Sequence, residues 1–309
     1  MNQYCAARGF AARPPFQDVF PLAFPARYRS QRIITASARQ AISGCFGRHM
    51  TPTVSIVTPS YNCGAYIEDT LCSVQEQTYS RIEHIIVDGA STDDTVTILK
   101  RHTGRIKWLS EPDDGMYDAI NKGFALASGE IFAYINADDL YSDPDVVARV
   151  VEELTANESV DFAYGHCAFT DEAGQLLYTY RAPFFNRTVA LAYPRIIFHQ
   201  PTCFWKRRVH RPFDSSFQHC GDSHFFRYLC ECSSGKNIGR TIARFRVRAD
   251  CWSFRGAERM AREGERVFGK VPQASLPLRL FDLVYIRTIL NFRANLKRLA
   301  LHYQGRPYL

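Results

Sequence analysis

Ile131-Phe132-Ala133-Tyr134-Ile135-Asn136-Ala137-Asp138-Asp139 is the stretch on which the reading of this chain turns. Its first five residues are an unbroken apolar run, the pattern of a buried strand. The run stops abruptly at an amide and two adjacent carboxylates. Open α/β sheets bind their ligands beyond the carboxyl ends of the strands, so acids at this point face a ligand more readily than a core. Hard oxygen donors suit Mg²⁺ or Mn²⁺, ions that commonly arrive with a phosphate. Asp and Asn are also ordinary turn formers, and the sequence upstream decides between the two readings.

Upstream the pattern is regular. Strands are expected at Val54–Thr58, Ile82–Val87 and Arg105–Leu109, ahead of Ile131–Ile135. Between them lie helical segments. The first is Ala65–Gln77, with Ile67, Leu71 and Val74 at spacings of four and three. The second is capped by Ser91-Thr92-Asp93-Asp94 and runs to about Arg101, and the third is Met116–Ala127, ended by Ser128-Gly129. Pro144 opens a further helix to about Leu154. Strand–helix alternation of this kind predicts an α/β fold with a mostly parallel sheet covered by helices. After Asp161 short aromatic strands (Phe162–Tyr164, Cys167–Thr170, Leu176–Tyr180) surround a turn at Glu172-Ala173-Gly174, and a hairpin is expected. The organisation read from this is an arm at 1–50, a ligand-binding half at 51–160, a second half of the same domain at 161–255 and a helical tail at 256–309.

The chain has 309 residues, 46% apolar and 13% aromatic, enough for a sizeable core. No apolar run is long enough to span a bilayer. The ten cysteines are scattered without a C-x-x-C pair, which favours buried thiols and a reducing, cytosolic compartment. The net charge of +7 sits mostly in residues 1–49, which hold seven arginines and one acid, Asp18. The nearly neutral remainder argues against a nucleic-acid enzyme with a broad basic face. The arm itself reads as a mis-started or disordered segment, with Met50 just before the first strand; a targeting sequence and a nucleic-acid arm are the alternatives.

Three strand ends carry polar, turn-rich loops to one side of the sheet. The first is Thr58-Pro59-Ser60-Tyr61-Asn62, where Tyr61 offers a flat face for a base. The second is Asp88-Gly89-Ala90-Ser91-Thr92-Asp93, where Asp88 can accept hydrogen bonds from a base or a ribose. The third, Glu111 to Gly123, crowds four acids and two glycines before a helix that carries Asn121. Together they outline a nucleotide-sized site, with Asp114 and Asn121 among its candidate lining residues.

The ordered segments V-S-I-V-T-P-S-Y-N, V-D-G-A-S-T-D-D-T, S-E-P-D-D-G-M-Y-D-A-I-N-K-G and A-S-G-E-I-F-A-Y-I-N-A-D-D resemble glycosyltransferase family 2, densely over residues 53–150 and more thinly to about 250. The resemblance implies an A-type, Rossmann-like fold and inverting transfer of a sugar from a nucleotide-diphosphate donor (a UDP-, GDP- or TDP-sugar) to a hydroxyl. It implies that Pro59, Tyr61 and Asp88 contact base and ribose. It makes Asp138 the metal-binding acid of a D-x-D element, holding Mn²⁺ or Mg²⁺, with Asn136 in the element's first position and Asp139 beside it. Asn136 and Gly89 depart from the acids that many members carry there.

The general base is expected downstream, where members often show Glu-Asp before an apolar helix. Here His219-Cys220-Gly221-Asp222-Ser223-His224 occupies that place, and Asp222 is the candidate, with a helix N-cap as its other reading. His199 and His224 are acceptor-side candidates, a structural histidine being the alternative. A tail at 276–302 with Leu, Ile and Phe near helical spacing and flanking arginines can lie on an anionic bilayer surface or pack on the domain. The acceptor implied is a glycan or lipid-linked intermediate of cell-surface polysaccharide or glycolipid synthesis, met at the inner face of the membrane. Two rivals remain: a nucleotidyltransferase, disfavoured by the absence of Lys or Arg in T-P-S-Y-N-C-G, and a nucleotide-sugar-binding protein without catalysis.

Overall fold

The computed structural model describes residues 51–192, 196–248 and 257–269, together with Val284 and Asn291. The expectations for the arm at 1–50 and for the basic tail at 276–302 lie outside the described residues.

Strand β1 (Val54–Ser60) is buried along its whole length. It runs parallel between β2 (Ile82–Asp88) and β4 (Ile131–Tyr134), and β3 (Lys107–Ser110) adds in parallel to β2. Parallel pairing needs crossovers, supplied by α1 (Ile67–Gln75), α2 (Thr95–Arg101) and α3 (Met116–Leu126). All four strands therefore end on the same side, which is what gathers their loops.

Beyond β4 come β5 (Leu140–Tyr141), α4 (Val146–Ala156), β6 (Phe162–Thr170), β7 (Leu176–Tyr180) and α5 (Arg187–Ala192). They are followed by β8 (Phe204–Lys206), α6 (Gly221–Cys232), β9 (Gly235–Arg246) and α7 (Ala257–Phe268). The sheet order is β3-β2-β1-β4-β8-β6-β9-β5, with β7 paired to β6. β8 is antiparallel to β4 and β6, and β9 is parallel to β6. The second half of the chain thus extends the first half's sheet.

Side-chain alternation splits the core by face. Phe132 and Tyr134 of β4 join Phe162, Trp205, Tyr117 of α3 and Phe225 and Phe226 of α6 in one layer. Ile131 and Ala133 of the same strand face the other way, onto Val146, Val147 and Val150 of α4. Burying a Phe, Ile or Val this completely stabilises by about 1.5–3 kcal/mol each.

Two local expectations change. Phe162–Tyr164 and Cys167–Thr170 are one continuous strand whose register against β9 shifts on either side of His166. The extra residues at these shifts lie on β9, between Asn237 and Ala243, and Gly165-His166, which reads as a break, is part of the strand. Ser91 does not cap α2: its hydroxyl donates to Asp88, while the Asp93 carboxylate accepts the Thr95 amide at 3.0 Å.

Candidate active site

The first two strand ends are tied to each other. Asn62, at φ +50°, accepts the Thr92 amide on its side-chain oxygen at 2.8 Å, and its own amide donates to Ser91 Oγ at 2.8 Å. Pro59 is buried in β1 beside Val87, whereas the Tyr61 ring is 64% exposed. Asp88 is fully buried. It accepts the Ser91 amide at 2.9 Å and the Ser110 hydroxyl at 2.7 Å, so it joins the ends of β2 and β3.

A Cβ on Gly89 would lie 2.6 Å from an Asp113 carboxylate oxygen. Asp113 thus fills the space a second acid at position 89 would need, which accounts for that departure. Asp113 also accepts the Gly115 amide at 2.9 Å, and burial raises its pKa. Asp114 is exposed, and its amide donates to Asp118 at 3.2 Å. The Asn121 amide makes two 2.8 Å bonds with the Phe213 backbone, one as donor and one as acceptor, so it fastens α3 to that segment.

At the end of β4 the Asp139 amide closes a turn onto the Asn136 carbonyl at 3.1 Å. Asn136 Nδ2 donates to Gln200 Oε1 at 3.3 Å, and Gln200 in turn donates to the Tyr134 carbonyl at 2.8 Å. Asn136 Oδ1 is buried with no hydrogen-bond partner. Asp138 pairs with Arg248 at 3.0 Å. Asp139 points inward, 1% exposed, and accepts the Arg246 amide at 3.2 Å. Burial pushes its carboxyl well above the ordinary range, and the neighbouring Asp138 charge adds to the push.

Arg246 reaches Asp69 at 2.9 Å and the Asp138 carbonyl at 3.2 Å. Both Arg246 and Arg248 lie over the Tyr66 ring, at 4.9 and 4.8 Å. Neither arginine is among the residues expected from the sequence. The alternation Arg244-x-Arg246-x-Arg248 was the available signal, since residues two apart on a strand share a face.

A divalent ion suits this donor set: the Asp138 carboxylate and the orphaned Asn136 oxygen are both hard ligands, and ions of this kind are commonly held by one or two carboxylates with phosphate oxygens completing the shell. Among the described residues, no group of three or more His, Cys, Asp or Glu side chains is placed to hold a metal.

Helix α6 brings the remaining acid. Its cap position is Cys220, so Asp222 sits inside the first turn and is not the cap. The carboxylate accepts the Ser223 amide at 2.6 Å, and the Tyr117 hydroxyl lies 3.4 Å from it and 3.1 Å from the His219 carbonyl. Burial raises the Asp222 pKa to about 6, only partly opposed by these hydrogen bonds. Gly221 is required here, because a Cβ would stand 2.7–2.8 Å from three atoms of the Tyr117 ring.

The approach to α6 is fixed from α7. Glu263, 4% exposed, accepts the amides of Gln218 (3.0 Å), His219 (2.8 Å) and Cys220 (3.0 Å). The Tyr134 hydroxyl is buried without a hydrogen-bond partner, and its ring stacks on Phe226 of α6 at 6.4 Å, which sets α6 beside the end of β4. His199 packs edge-on against Phe169 and Tyr180 at 4.8 and 4.6 Å. His224 stands by Phe217 at 5.2 Å, and burial lowers its pKa.

The model of the Glycosyl transferase family 2 matches residues 55–213, just over half of the sequence. The chain belongs to glycosyl transferase family 2. An uncharacterized glycosyltransferase of Mycobacterium tuberculosis is 45% identical to this family 2 chain over 116 residues, which is 37% of this chain and 44% of that protein. A PGL/p-HBAD biosynthesis glycosyltransferase of Mycobacterium bovis is 36% identical over 118 residues, covering 37% and 46%. The chain therefore spans less than half the length of these curated relatives.

Among solved structures, Staphylococcus aureus TarS 1–349 in complex with UDP-GlcNAc has a TM-score of 0.55 at 15% identity, covering 82% of each chain. The mannosyltransferase PcManGT of Pyrobaculum calidifontis, in complex with GDP-Man and Mn²⁺, has a TM-score of 0.54 at 23% identity, covering 84% of this chain and 77% of that one. These likenesses establish the A-type fold. No helix among the described residues is long and apolar enough to cross a membrane.

Proposed function

We propose that this chain is an inverting glycosyltransferase that moves a sugar from a nucleotide-diphosphate donor to a hydroxyl of a glycan or lipid-linked acceptor. The observation that carries the reading is the place of Tyr134 between the two acid-bearing elements: its ring stacks on Phe226 of α6 at 6.4 Å, and its carbonyl accepts from Gln200, whose side-chain oxygen accepts from Asn136. An acid with a pKa near 6 is mostly ionised at neutral pH and still basic enough to accept a proton.

In this reading Tyr61 and Pro59 receive the base, and Asp88 and Asp113 hold the loops around it. Asp222 takes the proton from the acceptor hydroxyl as that oxygen attacks the anomeric carbon, and the nucleoside diphosphate leaves from the opposite face. A single displacement inverts the centre and needs no protein nucleophile. Mn²⁺ or Mg²⁺ held by Asp138 and Asn136 would offset the charge that builds on the leaving diphosphate. Arg248, beside Asp138, adds a fixed positive charge at the same point. His199 and His224 are not assigned a step.

Four similar proteins support the details. The TarS and PcManGT structures hold UDP-GlcNAc and GDP-Man, the second with Mn²⁺. The PGL/p-HBAD relative and a chondroitin synthase of Escherichia coli, 29% identical over 195 residues, support an acceptor in polysaccharide or glycolipid synthesis. A site at the inner face of the membrane, reached through residues 276–302, completes the proposal.

The test is a thermal-shift screen of UDP, GDP and TDP with and without Mn²⁺, followed by turnover of the sugar nucleotide that binds. A ligand at a hundred times its Kd adds about 2.7 kcal/mol of apparent stability. One nucleotide is expected to raise Tm, more so with Mn²⁺, and Asp138→Ala is expected to abolish the Mn²⁺ increment. Binding without turnover over a full acceptor panel would favour a nucleotide-sugar-binding protein; no shift with any nucleotide would sink both readings.

A further inference from the structure

On the sheet face that carries α4 lies a groove of about 600 Å³, within the roughly 300–1,000 Å³ of small-molecule sites. None of its lining residues belongs to the strand-end site. Its walls come from β6, β7, β9, the residues just after β5 and the start of α4, and three of the lining residues are arginines: Arg149, Arg240 and Arg244.

Two of these guanidinium groups are already fixed. One terminal nitrogen of Arg149 bridges both carboxylate oxygens of Asp143 at 2.7 Å, and Arg244 donates to the Ser142 carbonyl at 3.1 Å. Groups held in this way lose little freedom when a ligand arrives. Arg240 is exposed and has no ion-pair partner among the described residues. Asp143 is the single acid in the lining, so the groove carries two positive charges in excess. Guanidinium forks match carboxylate and phosphate oxygens.

The rest of the lining narrows the ligand class. Threonine hydroxyls, Thr179 among them, suit a polyol, and Leu176, 60% exposed, offers an apolar face to sugar C–H bonds. No aromatic side chain lines the groove, which disfavours a stacked base. The groove also begins close to the chemistry. Ser142 follows Asp138 by four residues, so their Cα atoms are at most about 14 Å apart.

We propose that this groove binds an acidic saccharide, one that bears carboxylate or phosphate groups, as the extended part of the acceptor. Its role as acceptor rests on the glycosyltransferase reading; its preference for acidic saccharides does not.

The test is isothermal titration of the full chain with four probes: a hyaluronan tetrasaccharide, maltotetraose 1-phosphate, neutral maltotetraose and inorganic phosphate. The donor nucleotide is titrated separately. At least one acidic tetrasaccharide is expected to bind ten-fold or more tightly than neutral maltotetraose, and the tighter of the two names the acidic group. Arg240→Glu, at an exposed position, is expected to weaken that binding at least ten-fold and to leave nucleotide affinity unchanged. Equal affinity for acidic and neutral sugars, an unaffected Arg240→Glu variant, or inorganic phosphate binding as well as the acidic saccharide would overturn the proposal. Arg240-dependent saccharide binding in a protein that binds no nucleotide would leave the groove standing and remove the glycosyltransferase reading.

Discussion

Replacing Gly221 by alanine adds one methyl group, and the structure gives that methyl nowhere to go. Its carbon would lie 2.7 Å from Tyr117 Cε2 and 2.8 Å from Cδ2 and Cζ. Carbon atoms pack at about 3.5–4.0 Å, so the ring or the helix must move by roughly 0.7–1 Å. The ring is 2% exposed and stacked 6.0 Å from Phe213, so it moves only by displacing core neighbours. Overpacking of this kind costs about 1–3 kcal/mol. Alanine is favoured over glycine in a helix by up to about 1 kcal/mol, leaving a net loss of about 0–2 kcal/mol and a Tm drop of only a few degrees.

Turnover is far more exposed to the change. The displacement is comparable to the tolerance of the 3.4 Å contact between Tyr117 and Asp222. Misplacing a reacting group by about 1 Å can cost 10²-fold. The expected result is a kcat for sugar-nucleotide turnover about 10²-fold below the parent, with donor KM nearly unchanged, read by steady-state kinetics beside a melting curve. In a Tyr117→Leu background the same substitution should cost much less, because the ring it collides with is gone. A Gly221→Ala protein with turnover within two-fold of the parent would show that Tyr117 does not hold Asp222 in its working position.

Asp222→Asn is expected to lower turnover by about 10² or more with little change in donor affinity, and the acidic limb of the kcat/KM–pH profile, with an apparent pKa of about 6, should vanish with it. Because the folded state holds this proton more tightly than the unfolded chain, the group's contribution to stability is fully present below about pH 4 and is lost as pH rises to about 6. The asparagine variant should therefore unfold no more easily than the parent at pH 7.5 in urea, and a clear stability loss there would mark Asp222 as structural. Glu263→Ala leaves three backbone amides without their acceptor and should cost about 3 kcal/mol or more by the same unfolding assay. Burial raises the Glu263 pKa, but the three amides outweigh it and bring it below the ordinary value, so the contribution is present at neutral pH and lost as acid protonates the group. Tyr61→Ala should raise donor KM about ten-fold with kcat and Tm nearly unchanged, since base–aromatic stacking is worth about 1–3 kcal/mol and the ring is exposed.

The parallel half of the fold was legible because its signals are local. Ile131–Tyr134 is apolar from end to end, Val54–Ser60 carries Val54, Ile56 and Val57, and each is followed by turn residues before a helical period begins. Strand β9 was not legible. Gly235-Lys236-Asn237-Ile238-Gly239 begins it with polar residues and two glycines, and its pairing with β6 and β5 is set by tertiary contact. The same division runs through the candidate site. Asp138 and Asp222 stand out because an acid at a strand end or ahead of an apolar helix is conspicuous in sequence. Arg246 and Glu263 do not stand out, since each acts on a partner more than forty residues away and nothing local announces a long-range polar contact. Asn121 shows the converse: a polar residue on the expected helix whose partner, the Phe213 backbone, lies 92 residues further on.

The wiring of Arg246 has a consequence for the order in which this chain acquires its shape during synthesis. Its backbone amide closes on Asp139, 107 residues earlier, and its side chain on Asp69, 177 residues earlier. When β4 and β5 leave the ribosome, the arginine that covers the Asp139 carboxyl does not yet exist, and the edge of β4 waits for β8, more than 60 residues behind. Contacts so distant in sequence close slowly, and unpaired strand edges invite association while they wait. In the proposed reading the strand-end site is therefore completed late, only when β9 brings Arg246 to Asp139 and Asp69.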